Sequence, residues 1–112
     1  MATVNGSNAA LDAYETGVPG TDGFYSVEIP IEKADLMYQF KIWRDPTVPN
    51  FVLIKQGSAI INWIHPGDIF RMTYHGDDFA KPKRQLPTRI LNIHRQDVGR
   101  FRGHYMVTLG IV

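Results

Sequence analysis

From Phe24 onward hydrophobic residues recur at every second position, the period of a strand with one face in a core and the other in water. FYSVEIPI (24–31) predicts a first strand, with Pro30 at a sheet edge or bulge because proline has no N–H for a ladder. In LMYQFKIW (36–43), Tyr38, Phe40 and Ile42 share one side while Gln39 and Lys41 share the other. Trp43 has the outward parity. NFVLIKQGS (50–58) resumes as an apolar strand and breaks near Gly57, and AIINWI (59–64) fits either a short strand or a helical turn. His65-Pro66-Gly67-Asp68 predicts a type II turn, in which Pro fixes φ and Gly supplies the positive φ that follows. A strand at DIFRMTYH comes next, with Phe70, Met72 and Tyr74 inward. GDDFAKPKRQLP (76–87) is expected as a long polar loop, and TRILNIHR (88–95) and GHYMVTLGIV (103–112) as two arms of a hairpin turning at Gln96-Asp97-Val98-Gly99.

Short strands at regular intervals without a long helix predict an all-β fold, a small antiparallel barrel or sandwich. Closure into a barrel is the simpler way to protect strand edges at this size. The first 23 residues, rich in Gly, Asn, Thr and Ser, have no such pattern and are expected to be a flexible N-terminal arm, leaving 24–112 as the single domain.

Composition narrows the function. The 112 residues are 44% hydrophobic, enough for one core, and the absence of cysteine removes disulfides, thiolate metal sites and thiol nucleophiles. No stretch approaches the ~20 apolar residues of a membrane span, and the start lacks a signal-peptide pattern, so a cytoplasmic protein without a membrane span is expected. His65, His75, His94 and His104 do not pair at ligand spacing, so no metal is predicted. Ser7, Ser26 and Ser58 lie in no nucleophile-elbow context and no glycine-rich phosphate loop follows a strand, so neither catalysis nor a cofactor is predicted.

The net charge of +1 conceals an asymmetry: residues 1–40 carry six acids and Lys33 alone, a balance of −5, whereas residues 81–112 carry seven bases and Asp97 alone, a balance of +6. The latter segment predicts either an anion-binding face or a surface on which the acidic arm rests. A nucleic-acid-binding barrel that uses Lys81, Lys83, Arg84, Arg89, Arg95, Arg100 and Arg102, with Phe101 and Tyr105 for stacking, is the alternative functional reading. The overall charge is less basic than such a domain normally carries.

Over residues 36–112 the order of pieces resembles the PilZ domain family: a strand, the turn Asp45-Pro46-Thr47-Val48-Pro49-Asn50 where the family has [Asp/Asn]-x-Ser-x-x-Gly, further strands, the Pro66-Gly67-Asp68 turn, and a closing aromatic-aliphatic hairpin. The resemblance implies a six-stranded antiparallel split barrel and cyclic di-GMP as a ligand. Thr47 keeps the hydroxyl of the family serine, and Asn50 replaces glycine with the residue best able to follow it into positive φ. The family's Arg-x-x-x-Arg motif is missing, because residues 1–40 hold no arginine. Each charge-assisted contact is worth about 1.5–3 kcal/mol against ~8 kcal/mol for micromolar binding, so this loss weighs heavily. Among the other arginines the candidate substitutes are Arg44 beside the turn and the pair Arg84 and Arg89, neither arrangement having the family's spacing. The candidate ligand-binding set is Arg44, Asp45, Thr47, Asn50, Arg84 and Arg89. The expected function is a non-enzymatic signalling or adaptor domain that binds a protein partner, with cyclic di-GMP binding weakened or lost.

Overall fold

The computed structural model describes residues 23–76 and 83–112, so the arm, Asp77, Asp78, Lys81 and Pro82 lie outside the described residues. The strands are β1 Phe24–Ile31, β2 Leu36–Lys41, β3 Trp43–Asp45, β4 Val48–Lys55, β5 Ile69–Gly76, β6 Arg84–Gln96 and β7 His104–Ile111. They form one antiparallel sheet in the order β2-β1-β5-β6-β7-β4-β3. The all-β expectation holds, but the strands number seven rather than six. The expected strand at 36–43 is divided: β2 pairs with β1, β3 pairs with β4, and Ile42 alone lies between them. The two outer strands of the sheet are therefore consecutive in the chain. They bring β2 into contact with β4, so the sheet curls on itself as a half-barrel.

Alternation decides which residues the curl encloses. Val27, Ile29 and Ile31 of β1 meet Val52 and Ile54 of β4, Met72 and Tyr74 of β5, Ile90 of β6, and Val107 and Leu109 of β7 in one buried cluster. Burying a side chain of this kind contributes about 1.5–3 kcal/mol. The ambiguous AIINWI segment resolves as helical, a short 3-10 helix over Ala59–Asn62 that places Ile60 in the same cluster, with Ile64 following. Asp68 N–H donates to the His65 carbonyl at 3.0 Å and Gly67 has φ +96°, the geometry expected for the turn that launches β5.

Two local irregularities shape β6. It starts at Arg84, so the expected loop at 76–87 is shorter by its last residues, and Pro87 sits inside the strand. Proline is accommodated there because its carbonyl makes the bond, accepting from Val112 N–H at 3.0 Å. A bulge between Ile90 and Asn92 then places Ile90 and Ile93 opposite Leu109 and Val107 on the core side. The turn that follows matches the expected hairpin, with Gly99 at φ +85°.

One polar pair is sealed in the core. Thr88 is fully buried and donates its hydroxyl to the Leu86 carbonyl at 3.1 Å, which leaves its oxygen to accept from the Tyr74 hydroxyl at 2.8 Å. Burial pushes the Tyr74 hydroxyl pKa above its usual range, and the Thr88 hydroxyl, turned to donate to the phenolate when Tyr74 ionises, offsets only part of that shift. Urea unfolding checks this network: Thr88→Val, which strands the buried Tyr74 hydroxyl, is expected to cost about 1–3 kcal/mol, more than the ~0.5–1.5 kcal/mol of Tyr74→Phe. A pKa raised in the fold means that stability is complete below the unfolded value of about 10 and falls above it, by at most ~1.4 kcal/mol per pH unit. That alkaline loss disappears in Tyr74→Phe; equal costs for the two variants would contradict the assigned donor order.

Candidate functional site

The stretch 44–50 folds as a two-residue hairpin between β3 and β4, because Asp45 pairs across it with Val48. Asp45 Oδ1 accepts from both Thr47 N–H at 2.8 Å and Thr47 Oγ1 at 2.6 Å, so the side chain closes the turn on itself. These two bonds, the hydroxyl first and the amide second, hold the exposed Asp45 carboxyl below its ordinary range. The turn lies in the open, with residues 44–49 exposed. Arg44 reaches the other way: its Nη2 donates to the Phe24 carbonyl at 2.6 Å and ties the hairpin to the start of β1. Asn50 is only 8% exposed, on the inward side of β4 together with Val52 and Ile54, and is held by contacts within the fold.

Asp45 and Thr47 are thus bonded to each other, with Arg44 turned toward β1 and Asn50 inward on β4, while Arg84 and Arg89 belong to β6. β4 and β7 separate β3 from β6 in the sheet. An offset of five along a strand also sends two side chains to opposite sides: Arg84 lies opposite Tyr74 on the inward side at the strand's exposed start, and Arg89 lies opposite Ile69 on the outer face. Arg84 and Arg89 therefore cannot both turn toward the hairpin residues. The spacing of the two arginines already carried that information.

A different group does converge beside the hairpin. Trp43 keeps its outward parity and is half-buried, lying nearly parallel to Phe51 with ring centroids 6.4 Å apart and an interplanar angle of 12°. Phe101, from the loop before β7, closes edge-on against both, 5.4 Å from Trp43 and 5.9 Å from Phe51. Lys41 Nζ stands 4.2 Å from the centre of the Trp43 ring, and the Arg100 guanidinium carbon stands 5.3 Å from it and 5.1 Å from that of Phe101. Phe51 is 3% exposed although it points away from the main core, because these aromatics cover it. Sequence reasoning marked Trp43 and, separately, Arg100 and Phe101 as members of the basic segment, but did not place them together, and it missed Lys41 and Phe51. The parity of Phe51, opposite to Val52 and Ile54, was an available signal; the fold-back that brings the loop residue Phe101 onto Trp43 leaves none.

At the far end of β1 a groove of about 480 Å³ is bounded by Pro30, Ile31, Trp63, Ile69, Phe70 and Arg71. Asp68 at its margin already accepts from His65 N–H at 2.9 Å within the turn. Among the described residues no three His, Asp or Glu side chains lie close enough together to hold a metal ion, and no helix is long and apolar enough to cross a membrane.

Compared with protein-family models, with curated proteins and with solved structures, the chain matches none.

The closed turn makes a direct prediction. Thr47→Val removes the hydroxyl that does most to lower the Asp45 pKa, so a carboxyl NMR titration is expected to show that pKa moving up toward the ordinary value near 3.9. The stabilisation by Asp45 is present above that value and is lost as pH falls through the lowered one. A pKa that does not move would show that the Thr47 hydroxyl does not donate to Asp45.

Proposed function

We propose that this protein is a non-enzymatic binding module of PilZ type, an adaptor that recognises a protein partner with the face around Trp43. The observation that carries the reading is the aromatic and cationic group there, an indole flanked by Lys41 and Arg100 on the outer face of β3 and β4. Tryptophan and arginine at the centre of a polar surface are the residues that most often dominate protein recognition. The antiparallel curled sheet and the position of the Asp45 turn at its rim support the PilZ resemblance.

Support for a protein partner over cyclic di-GMP comes from the turn's own bonds. Asp45 is occupied by Thr47 and Arg44 by the Phe24 carbonyl, so a nucleotide contacting them would first have to break those bonds. Arg84 and Arg89 stand on opposite sides of β6 and offer no paired clamp for two phosphates.

One observation favours nucleic acid as a second reading: Arg100, a member of the basic 81–102 segment, lies over two aromatic rings. Against it, both cations already occupy the neighbourhood of the indole on which a base would have to stack.

Calorimetry separates these readings. Cyclic di-GMP is expected to give no heat up to hundreds of micromolar; micromolar binding that Asp45→Ala abolishes would restore the nucleotide reading. Binding of a mixed-sequence single strand that weakens steeply with salt and is lost in Arg100→Ala would replace the protein-partner reading with the nucleic-acid one.

A further inference from the structure

The face around Trp43 carries positive charge that the described residues leave unanswered. Lys41 and Arg100 both stand over the Trp43 ring, and Lys55 is exposed on the same outer face of β4. Among the described residues neither Lys41 nor Arg100 pairs with a carboxylate. The two acids nearest to them in the chain are already engaged, Asp45 with Thr47 and Asp97 with Arg95 Nε at 2.7 Å. Like charges gathered beside an indole repel one another, and an anionic segment laid across them relieves that repulsion.

The chain enters the fold beside this face. Ile42 N–H donates to the Tyr25 carbonyl at 2.8 Å and Arg44 Nη2 to the Phe24 carbonyl at 2.6 Å, so the first described peptides lie against residues on either side of Trp43. The segment that precedes them, residues 1–22, contains Asp12, Glu15 and Asp22 and no Lys, Arg or His. It also contains Leu11, Tyr14 and Val18, apolar groups suited to an aromatic surface. At up to ~3.3–3.6 Å per residue its reach greatly exceeds the span of the face.

From this charge complementarity and point of entry we infer that the Trp43 face is the docking surface for the chain's own residues 1–22. The inference rests on the reading of that face as the recognition surface, and it names the acidic segment that occupies it before any partner does. Each surface ion pair is weak, but the tether holds the segment at an effective concentration in the millimolar range, where a weak contact is populated. A protein partner that competes for the face presents the same chemistry, an acidic segment with apolar side chains. Because the attraction is between exposed charges, salt weakens it.

The sequence provides a clean test, since it has no cysteine and two tryptophans, one at the face and the other, Trp63, beside the groove at the far end of β1. A nitroxide on Ala13→Cys in the full chain is expected to broaden the indole N–H signal of Trp43 and the amides of Arg100 and Arg102, leaving the Trp63 indole sharp. Adding Asp12→Asn, Glu15→Gln and Asp22→Asn, or raising the salt to molar concentration, is expected to restore the Trp43 signal at least severalfold. No broadening, equal broadening of both indoles, or broadening that survives neutralisation of the three acids would overturn the inference. Broadening of a ¹⁵N-labelled chain mixed with a separately spin-labelled one would also overturn it, by assigning the contact to a second copy. None of these readouts uses an outside partner, so an arm that ignores the face leaves the partner reading standing. A partner that binds equally well to Trp43→Ala removes the partner reading alone.

Discussion

Between Lys41 and Trp43 the chain passes from one half of the sheet to the other, and Ile42 makes the passage. Its side chain is 4% exposed within the core, while its N–H is held by the Tyr25 carbonyl. A strand that paired with β1 along its whole length would leave β4 with an open edge, a row of unpaired donors and acceptors inviting another chain. By changing partner, the same run serves both ends of the sheet and forces it to curl. The inward residues of β1, β4, β5, β6 and β7 can then share one core.

The candidate site inherits its form from this crossover. Because β3 continues from Ile42, Trp43 has to face outward, and Lys41, two residues earlier, has to share its side. Because β3 is three residues long, the return into β4 is made at once by Asp45 and Thr47, whose bonds are spent within the turn. Arg44, with the opposite parity to Trp43, is carried across to the start of β1. A stretch that looks in sequence like a pocket rim is therefore an internally satisfied corner. The chemistry left open lies on the outward neighbours.

Much of this was legible from periodicity. The inward sets of β1, β5 and β7, the His65–Asp68 turn and the left-handed Gly99 follow from local rules that tertiary packing has no reason to overrule. Two features escaped it for identifiable reasons. The run 36–45 alternates smoothly through Ile42, and alternation cannot reveal that the hydrogen-bonding neighbour changes. The β6 bulge shifts parity without any glycine or proline at Leu91 to announce it. Pro87 misled in the opposite direction, reading as the end of a loop while its carbonyl supports the strand.

By itself, then, the sequence determined an all-β chain, which faces of most strands are apolar, where the tight turns fall, and the opposition of an acidic beginning to a basic end. These depend on neighbours a few residues away. Tertiary structure alone decided that the sheet curls through Ile42, that Arg44 reaches the Phe24 carbonyl, and that Phe101 and Arg100 return from a distant loop to meet Trp43 and Lys41. The reason is that these relations join residues up to about sixty positions apart, and such contacts are fixed only when strands choose their partners.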